Sequence, residues 1–175
     1  MAAHPMTDHT VGAAIGRPPK ATRRGIGETI YMFVNENGVV ILRENGIDFE
    51  NGVITIDEVM LGPGYSFNDF MFTRLFNHQN ENRFFWFEEH KTIGDNTFAV
   101  GLAFQDRMLI LAELMCVDEE FSWETEEKRK ELHDRILRKY GIDEEKQFWW
   151  GTVCSDFDHK SGISSIVLSY SSVLR

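Results

Sequence analysis

The residues best suited to chemistry in this sequence lie together in the segment Asp156-Phe157-Asp158-His159-Lys160-Ser161-Gly162. Two carboxylates, an imidazole and an amine in one loop are groups that bind a hard metal ion or transfer a proton. The spacing fits no closed site, because an EF-hand needs oxygen ligands over about twelve residues, with a central glycine and a terminal glutamate. Aspartate and glycine also suit the backbone of a short hairpin loop, so we interpret the segment as a structural turn.

A second pair with acid–base character, Glu89 and His90, follows the aromatic run at residues 84–87, and His78 precedes that run. No nucleophile elbow of the form Gly-x-Ser-x-Gly accompanies these groups, although serines are frequent in the C-terminal part. We therefore assign no catalytic residue. An alternative function stays open, a small hydrolase or ligand-binding domain, and it requires one pocket to hold the following side chains: Glu89, His90, Asp156, Asp158 and His159.

The sequence contains no motif for a bound phosphate or metal ion. Neither G-x-x-x-x-G-K-[ST] nor G-x-G-x-x-G occurs. Cys116 and Cys154 lack the paired spacing of metal ligands. His133 stands beside Leu132 in a predicted helix, which is more typical of a packed or surface histidine than of a ligand. We predict no metal ion and no cofactor.

Cysteine content and hydropathy predict a cytosolic protein outside the membrane. Two cysteines are too few to stabilise a chain of 175 residues by disulfide bonds in the way that secreted scaffolds are stabilised. The first residues show no apolar signal segment. The most apolar internal stretch, residues 108–115, contains Glu113 and is far shorter than the roughly 20 residues that span a bilayer.

Charge gives the main indication of a partner. The 28 acidic and 18 basic side chains give a net charge of −10, which repels nucleic acid and favours a basic protein. Two acidic stretches flank the second predicted helix and act either as ordinary solvated loops or as a surface that steers a basic partner. The predicted partner-binding residues are Asp118, Glu119, Glu120, Asp143, Glu144, Glu145, Trp149, Asp156 and Asp158.

Residues 1–25 differ in composition from the rest of the chain. They carry four basic side chains and one acidic side chain, whereas residues 26–175 carry 14 and 27, which gives +3 against −13. The basic stretch GRPPKATRR at residues 16–24 is compatible with a minor-groove arm, but the charge of the body opposes DNA binding. We interpret residues 1–25 as a disordered leader and residues 26–175 as one domain.

Turn signals predict a meander over residues 29–60. Three Asn-Gly pairs, at residues 37–38, 45–46 and 51–52, separate runs of β-branched residues. Asparagine and glycine accept the positive φ that tight hairpin turns need. A series of short antiparallel strands is therefore expected.

Two helix-plus-hairpin units follow, over residues 66–116 and 122–170. Ser66 and Asp69 form a capping-box-like pair that starts a helix ending near Phe76, and Ser122 caps a helix over residues 123–140. Strands are predicted at residues 83–89, 98–105, 108–116, 147–155 and 163–170. This order predicts an α+β fold, a mainly antiparallel sheet with two helices packed on one face.

Three motifs carry a resemblance to known proteins. They are Leu61-Gly62-Pro63-Gly64-Tyr65-Ser66-x-x-Asp69-Phe70, the Ser122-Trp123 helix start with Arg129-Lys130 and His133-Asp134, and the ending Trp150-Gly151-Thr152-Val153-Cys154-Ser155-Asp156-Phe157-Asp158-x-Lys160-Ser161-Gly162. With them, residues 38–171 resemble a group of small, largely uncharacterised bacterial proteins. The order of elements is similar to the β-lactamase-inhibitor-protein type of fold, and small acidic α+β proteins of this kind resemble immunity proteins of toxin systems. The resemblance implies a protein-binding role.

Aromatic side chains favour core packing over a binding surface, but they are compatible with the same hypothesis. The runs at residues 84–87 and 148–150 place large rings on both faces of a sheet, since successive strand residues point to opposite sides. Rings on the face without helices must contact the meander, a second subunit or a partner. We therefore expect a non-enzymatic immunity or inhibitor protein that blocks a basic bacterial toxin through an acidic, partly aromatic surface.

Overall fold

The computed structural model describes residues 22–23, 29–34, 40–77 and 84–171, of which residues 22–44 and Trp123 are described by their backbone alone. His78 and most of the predicted leader lie outside the described residues. The strands are β1 (Thr22–Arg23), β2 (Thr29–Val34), β3 (Val40–Glu44), β4 (Gly46–Asp48), β5 (Val53–Ile56), β6 (Val59–Leu61), β7 (Phe84–Trp86), β8 (Lys91–Ile93), β9 (Asn96–Gln105), β10 (Met108–Cys116), β11 (Lys146–Phe148), β12 (Gly151–Asp158) and β13 (Ile163–Tyr170). The helices are α1 (Phe67–Met71) and α2 (Glu126–Arg138), the latter preceded by a 3-10 turn at Trp123–Thr125.

These strands form three antiparallel sheets. The central sheet has seven strands in the order β11-β12-β13-β10-β9-β7, with β8 also paired to β9. Strands β1 to β3 form one three-stranded sheet and β4 to β6 another. The predicted α+β class with a mainly antiparallel sheet is confirmed at this level.

The predicted meander is divided between the two small sheets at Asn45. Its side-chain amide donates to the carbonyl of Thr92, and its Oδ1 accepts a 2.7 Å bond from the N–H of Asp57. Asn45 thus joins three segments of the chain where a simple hairpin turn was expected. Strand β1 belongs to residues predicted as leader and pairs with β2.

Helix α1 is shorter than predicted. Ser66 caps it as expected, because its Oγ accepts from the N–H of Asp69 at 3.1 Å. The N–H groups of Phe72 and Thr73 then bond to the carbonyls three residues earlier, and the Thr73 hydroxyl also donates to the carbonyl of Phe70. This tightening ends the helix at Met71.

Both helices contact the same face of the central sheet. The ring of Phe70 on α1 stacks on Phe104 of β9 with centroids 5.4 Å apart. His133 of α2 contacts Ser164 of β13. The strand register aligns Leu102, Ala112 and Leu168 on this face, and all three are fully buried.

The opposite face, which we call the open face, carries the intervening residues. Register places Gly101, Glu113 and Val167 side by side there. Gly101 is required by a close approach, since a Cβ at this position would lie 2.6 Å from the ring of Phe84. Phe84 and Trp86 therefore lie flat across the sheet rather than projecting from it.

A buried tryptophan joins the sheet of β4 to β6 to the central sheet. Trp150 is fully buried, and its indole Nε1 donates to the carbonyl of Phe49 at 3.0 Å. Its ring lies over Gly52, where a Cβ would overlap the indole. Phe148 stacks on the same ring at 5.4 Å and Tyr170 contacts it at 5.2 Å. The two sheets thus share one hydrophobic core.

Candidate functional site

The predicted acidic residues lie at opposite ends of α2. The first stretch, Asp118 to Glu120, has a structural role at its first residue. The carboxylate of Asp118 accepts bonds from Asn96 Nδ2 at 2.8 Å and from the N–H of Thr97 at 3.0 Å. Partial burial opposes ionisation of Asp118, but these hydrogen bonds outweigh it and lower its pKa. Asp118 thus anchors the start of β9, while Glu119 and Glu120 are exposed.

The second acidic stretch, Asp143 to Glu145, lies beside the outer edge of the central sheet. Together with residues of α2 and β12 it lines a depression of about 370 Å³, which we call the helix-side groove. Five carboxylates and one lysine line this groove: Asp134, Asp143, Glu144, Glu145, Asp156 and Lys130. Lys130 is already bonded to Asp134 at 3.0 Å, so the groove presents strong negative charge to solvent.

A thiol also lines the helix-side groove. Cys154 is half-buried there, and Cys116 is buried near the far end of α2; neither forms a disulfide. Burial, and then the carboxylates of Asp156 and Glu145, raise the pKa of Cys154. Burial raises that of Cys116 to about 11. Both side chains are therefore neutral thiols at neutral pH and poor nucleophiles.

The open face carries a second depression, of about 280 Å³, which we call the open-face groove. One wall is aromatic, with Phe84 and Trp86 in contact at 5.3 Å and the Trp86 side chain 40% exposed. The other wall carries the carboxylates of Glu113, Asp156 and Asp158. Burial, and then repulsion from the other two carboxylates, raise the pKa of Glu113. The groove therefore combines negative charge with an aromatic surface.

Strand β12 separates the two grooves, and Asp156 lines both of them. On the outer side of β12, strand β11 pairs only with residues 151–153. Among the described residues, no strand pairs with residues 154–158 on that side. In the part of the chain that the structure describes, a free sheet edge therefore runs between two acidic grooves.

Trp149 is separate from both grooves. It lies in the tight turn between β11 and β12 and is 70% exposed. Its indole Nε1 donates to the carbonyl of Glu50 at 3.2 Å, so the ring lies over the turn that precedes β5. The predicted partner-binding residues are thus spread over several places, and Asp143, Glu144, Glu145, Asp156 and Asp158 are the ones that the structure brings together around β12.

The Asp156–Gly162 segment is a turn only in its second part, because residues 156–158 belong to β12 and residues 159–162 connect it to β13. The Asp158 carboxylate accepts from the N–H of Lys160 at 2.9 Å, and this bond lowers the pKa of Asp158. Gly162 has a φ of +67° and donates to the carbonyl of Asp158. His159 is exposed and its ring packs edge-on against Phe157 at 4.9 Å. These contacts stabilise the turn itself.

The residues of the alternative catalytic site are distributed between separate grooves. Glu89 pairs with Lys91 at 3.1 Å and lines a depression with Arg74. Asp156 and Asp158 line the open-face groove instead. His90 is exposed beside Glu89.

The structure contains a buried polar cluster that the sequence did not suggest. His133 is fully buried; its Nε2 accepts from the N–H of Cys116 at 3.0 Å, and its Nδ1 lies 3.0 Å from Ser164 Oγ. Glu126, also buried, accepts from the N–H of Ser164 at 2.8 Å and from Arg129 at 2.7 Å. In the sequence, this cluster is indicated by the spacing of Glu126, Arg129 and His133, which places the three side chains on one face of a helix.

The His133–Ser164 contact does not activate a nucleophile. Because Nε2 accepts a backbone hydrogen bond, the proton of the neutral ring is on Nδ1, which then donates to the serine oxygen. A ring in this tautomer cannot remove the serine proton through the same nitrogen. Burial, followed by the charge of Arg129, lowers the pKa of His133 to about 4, which keeps the ring neutral. The cluster therefore fixes α2 to the sheet.

The described residues show neither a metal-binding cluster nor a membrane-spanning helix. Within them, no group of three or more histidine, cysteine, aspartate or glutamate side chains has a geometry that holds a metal ion. Among the same residues, no helix is both long and apolar enough to cross a bilayer.

No known protein family, curated protein or solved structure matches the chain significantly. The three sequence motifs therefore carry only the resemblance to small, largely uncharacterised bacterial proteins, and the likeness to immunity proteins rests on fold and charge.

Proposed function

We propose that this protein is a non-enzymatic binding module, an immunity or inhibitor protein that blocks a basic bacterial toxin. The observation that carries the proposal is the concentration of carboxylates around β12. Five carboxylates and one lysine line the helix-side groove, and Asp156 continues this charge into the open-face groove. Such a surface complements a cationic protein and repels a polyanion.

The mechanism follows from charge and shape. Long-range attraction between a chain of net charge −10 and a basic partner raises the rate of encounter. Once docked, the partner's basic residues are covered by the carboxylates, so its own anionic substrate is excluded. Aromatic rings such as Trp86 add apolar contact area at the same surface. No bond is made or broken in this mechanism.

The proposal places the protein in the reducing cytosol, which agrees with two free cysteines. It also treats residues 26–175 as one domain containing two helix-plus-hairpin units. In support, α1 precedes the antiparallel pair β9–β10, and α2 precedes the pair β12–β13. Buried residues from Phe49 to Tyr170 form a single cluster.

Charge reversal tests the proposal. A variant with Asp143→Lys, Glu144→Lys and Glu145→Lys is compared with a control carrying Glu88→Lys, Glu124→Lys and Glu127→Lys, which makes the same change in net charge at exposed sites outside the predicted partner-binding residues. Both are measured by stopped-flow association and by inhibition assays against a panel of purified cationic toxin nucleases.

We expect the wild type to inhibit a member of the panel with one-to-one stoichiometry. The groove variant should associate at least tenfold more slowly than the control variant at low salt, since charge near the contact acts more strongly than distant charge. Equal rates for the two variants, or no binding to any basic protein in the panel, would contradict the proposal.

A further inference from the structure

We infer that the partner binds by adding an extended basic segment as an extra strand on the free edge of β12. This inference rests on the proposed function and specifies how the site would work. It assigns a role to residues 154–158, whose outer side is left open by β11. A strand added there would continue the line of β11 along the sheet.

The register identifies which backbone groups face outward. The carbonyl of Trp150 accepts from the N–H of Ser171, which fixes the phase of the β12–β13 ladder. Hydrogen-bonding direction alternates along an antiparallel strand, so Cys154 and Asp156 direct their N–H and C=O groups toward β13. Ser155 and Phe157 direct theirs toward the open edge. Two donors and two acceptors are therefore available to an added strand.

The two grooves give this edge its chemical preference. Side chains of an added strand alternate between the two faces of the sheet. On one face they would enter the helix-side groove, with its carboxylates at Asp143, Glu144 and Glu145. On the other they would enter the open-face groove, near Glu113 and Asp158. Lysine and arginine are thus favoured at successive positions of the incoming segment, on both of its faces.

The aromatic wall strengthens this preference on the open face. A lysine or arginine that enters beside Glu113 would lie near the rings of Phe84 and Trp86. A cation over an aromatic face is attracted by the ring quadrupole, and the interaction is stronger where the site is partly desolvated. Arginine also stacks on aromatic rings, so the open-face groove suits it in particular.

A second copy of this chain is a poorer occupant of the same edge. Pairing two β12 edges would bring Asp156 and Asp158 of one copy near those of the other, on bodies that each carry a net charge of −10. Acidic residues at an edge are a common protection against such self-pairing. They do not oppose a basic strand, and the experiment below separates the two roles.

The test uses peptides whose backbone, not charge, is altered. The probe is a capped octapeptide, Thr-Arg-Lys-Val-Arg-Lys-Val-Thr, labelled with a fluorophore and titrated with the protein at low salt. One derivative carries four N-methyl groups at alternate residues, which blocks one edge of the peptide strand and leaves the other free. A matched derivative carries four at consecutive residues, which blocks both edges at identical net charge.

We expect the alternate derivative to bind within about threefold of the parent peptide and the consecutive derivative to bind at least tenfold more weakly, because it lacks a free row of N–H donors. Equal affinity of all three peptides would show adsorption by charge alone and would overturn the inference. An equal loss for both derivatives would overturn it too, since steric hindrance would then explain the effect.

Amide exchange measured by NMR locates the contact on the protein. Binding of the parent peptide should slow exchange at the N–H groups of Ser155 and Phe157 at least tenfold and leave those of Cys154 and Asp156 unchanged, since the latter already bond to β13. Unchanged exchange at Ser155 and Phe157 would refute strand addition. So would protection of these two amides that rises with protein concentration in the absence of peptide, which would identify a second copy as the occupant.

These results separate the inference from the function on which it rests. If the protein inhibits a basic toxin but the peptide does not protect the β12 edge, the binding function stands and strand addition is wrong. If the edge is protected by the peptide but no basic protein is bound, the inhibitor proposal is wrong.

Discussion

His133 illustrates how a single residue fixes a helix to a sheet. Its two ring nitrogens contact different strands, the N–H of Cys116 on β10 and the hydroxyl of Ser164 on β13. Glu126 bonds the backbone of the same serine. Because these groups are buried, each loses its water on folding and depends on the others for hydrogen bonds. The cluster therefore makes stability sensitive to the charge of the histidine.

The pKa of His133 is lowered to about 4 in the folded state, from an ordinary value of 6.5. The unfolded chain therefore binds a proton more readily between these values, and the histidine's contribution to stability is present above pH 6.5 and lost as the pH falls toward 4. Over this pH range the protonation of His133 lowers the free energy of unfolding by about 3 kcal/mol. We expect the stability difference between wild type and His133→Gln, measured by urea unfolding across this range, to shrink by that order.

The comparison with His133→Gln removes the contribution of the many carboxylates, which titrate alike in both proteins. A matched control is His159→Gln, because His159 is exposed. This substitution removes an imidazole from the turn between β12 and β13 and leaves the buried cluster intact. A difference for His133→Gln that does not change between pH 4 and 6.5 would disprove the linkage.

Residue roles on α2 were only partly predictable. By spacing alone Glu126 could pair with Arg129 or with Lys130, and in the structure Glu126 is buried with Arg129 while Lys130 pairs with Asp134. Pairs at three and four residues are both sterically possible on a helix, and tertiary contacts choose between them. The backbone of Ser164, which decides the choice here, is distant in sequence.

At the level of elements, long strands and strong turns were predictable. Strands β9, β10 and β13 lie close to their predicted ranges, because each is a long run of strand-forming residues. The predicted strand ranges 98–105 and 108–116 leave two residues to connect β9 and β10, and these residues, Asp106 and Arg107, take the positive φ of a two-residue hairpin.

Short strands were not predictable in the same way. Strands β4, β6 and β8 have three residues each and form through pairing with a longer neighbour, not through a pattern of their own. The turn between β5 and β6 places Asp57 and Glu58 at positive φ without a glycine. The bond from Lys91 to Asp57, at 2.9 Å, comes from a distant part of the chain and helps to hold that turn.

The candidate site was also predictable only in part from the sequence. Sequence indicated that Asp143, Glu144, Glu145, Asp156 and Asp158 bind a partner, and the structure brings them around β12. The contribution of the β7 rings and Glu113 to one groove could not be foreseen, because it depends on the order of strands in the sheet.

Gly101 offers a test at the scale of the sheet. A Cβ at this position would lie 2.6 Å from the Phe84 ring, so Gly101→Ala should displace the ring and destabilise the protein by about 1–3 kcal/mol. In a Phe84→Ala background the same substitution should be close to neutral. Chemical unfolding of the four proteins gives the coupling energy. An equal loss of unfolding free energy from Gly101→Ala in both backgrounds would show that contact with the Phe84 ring does not cause the destabilisation.

For the whole molecule, Trp150 is the main link between two sheets. It packs on Gly52 and bonds to the carbonyl of Phe49, about a hundred residues away in the chain. Trp150→Phe should leave that carbonyl without its donor and create a cavity, at a cost of about 2–4 kcal/mol in unfolding free energy.

Trp149→Phe is the natural control, because this neighbouring tryptophan also donates to a backbone carbonyl but is 70% exposed. It should change stability by no more than about 0.5 kcal/mol. Similar costs for the two substitutions would mean that the sheets are joined mainly by other contacts.

The position of β13 has a consequence for how the protein is made. It follows the other strands of the central sheet in the chain, yet it lies between β12 and β10. While the ribosome is still translating α2, the strands already made end in an uncovered β10, whose unpaired backbone N–H and C=O groups are a template for wrong pairing. Synthesis of the final hairpin then closes the sheet in one step, so the nascent chain before that point is the form that chaperones would need to protect.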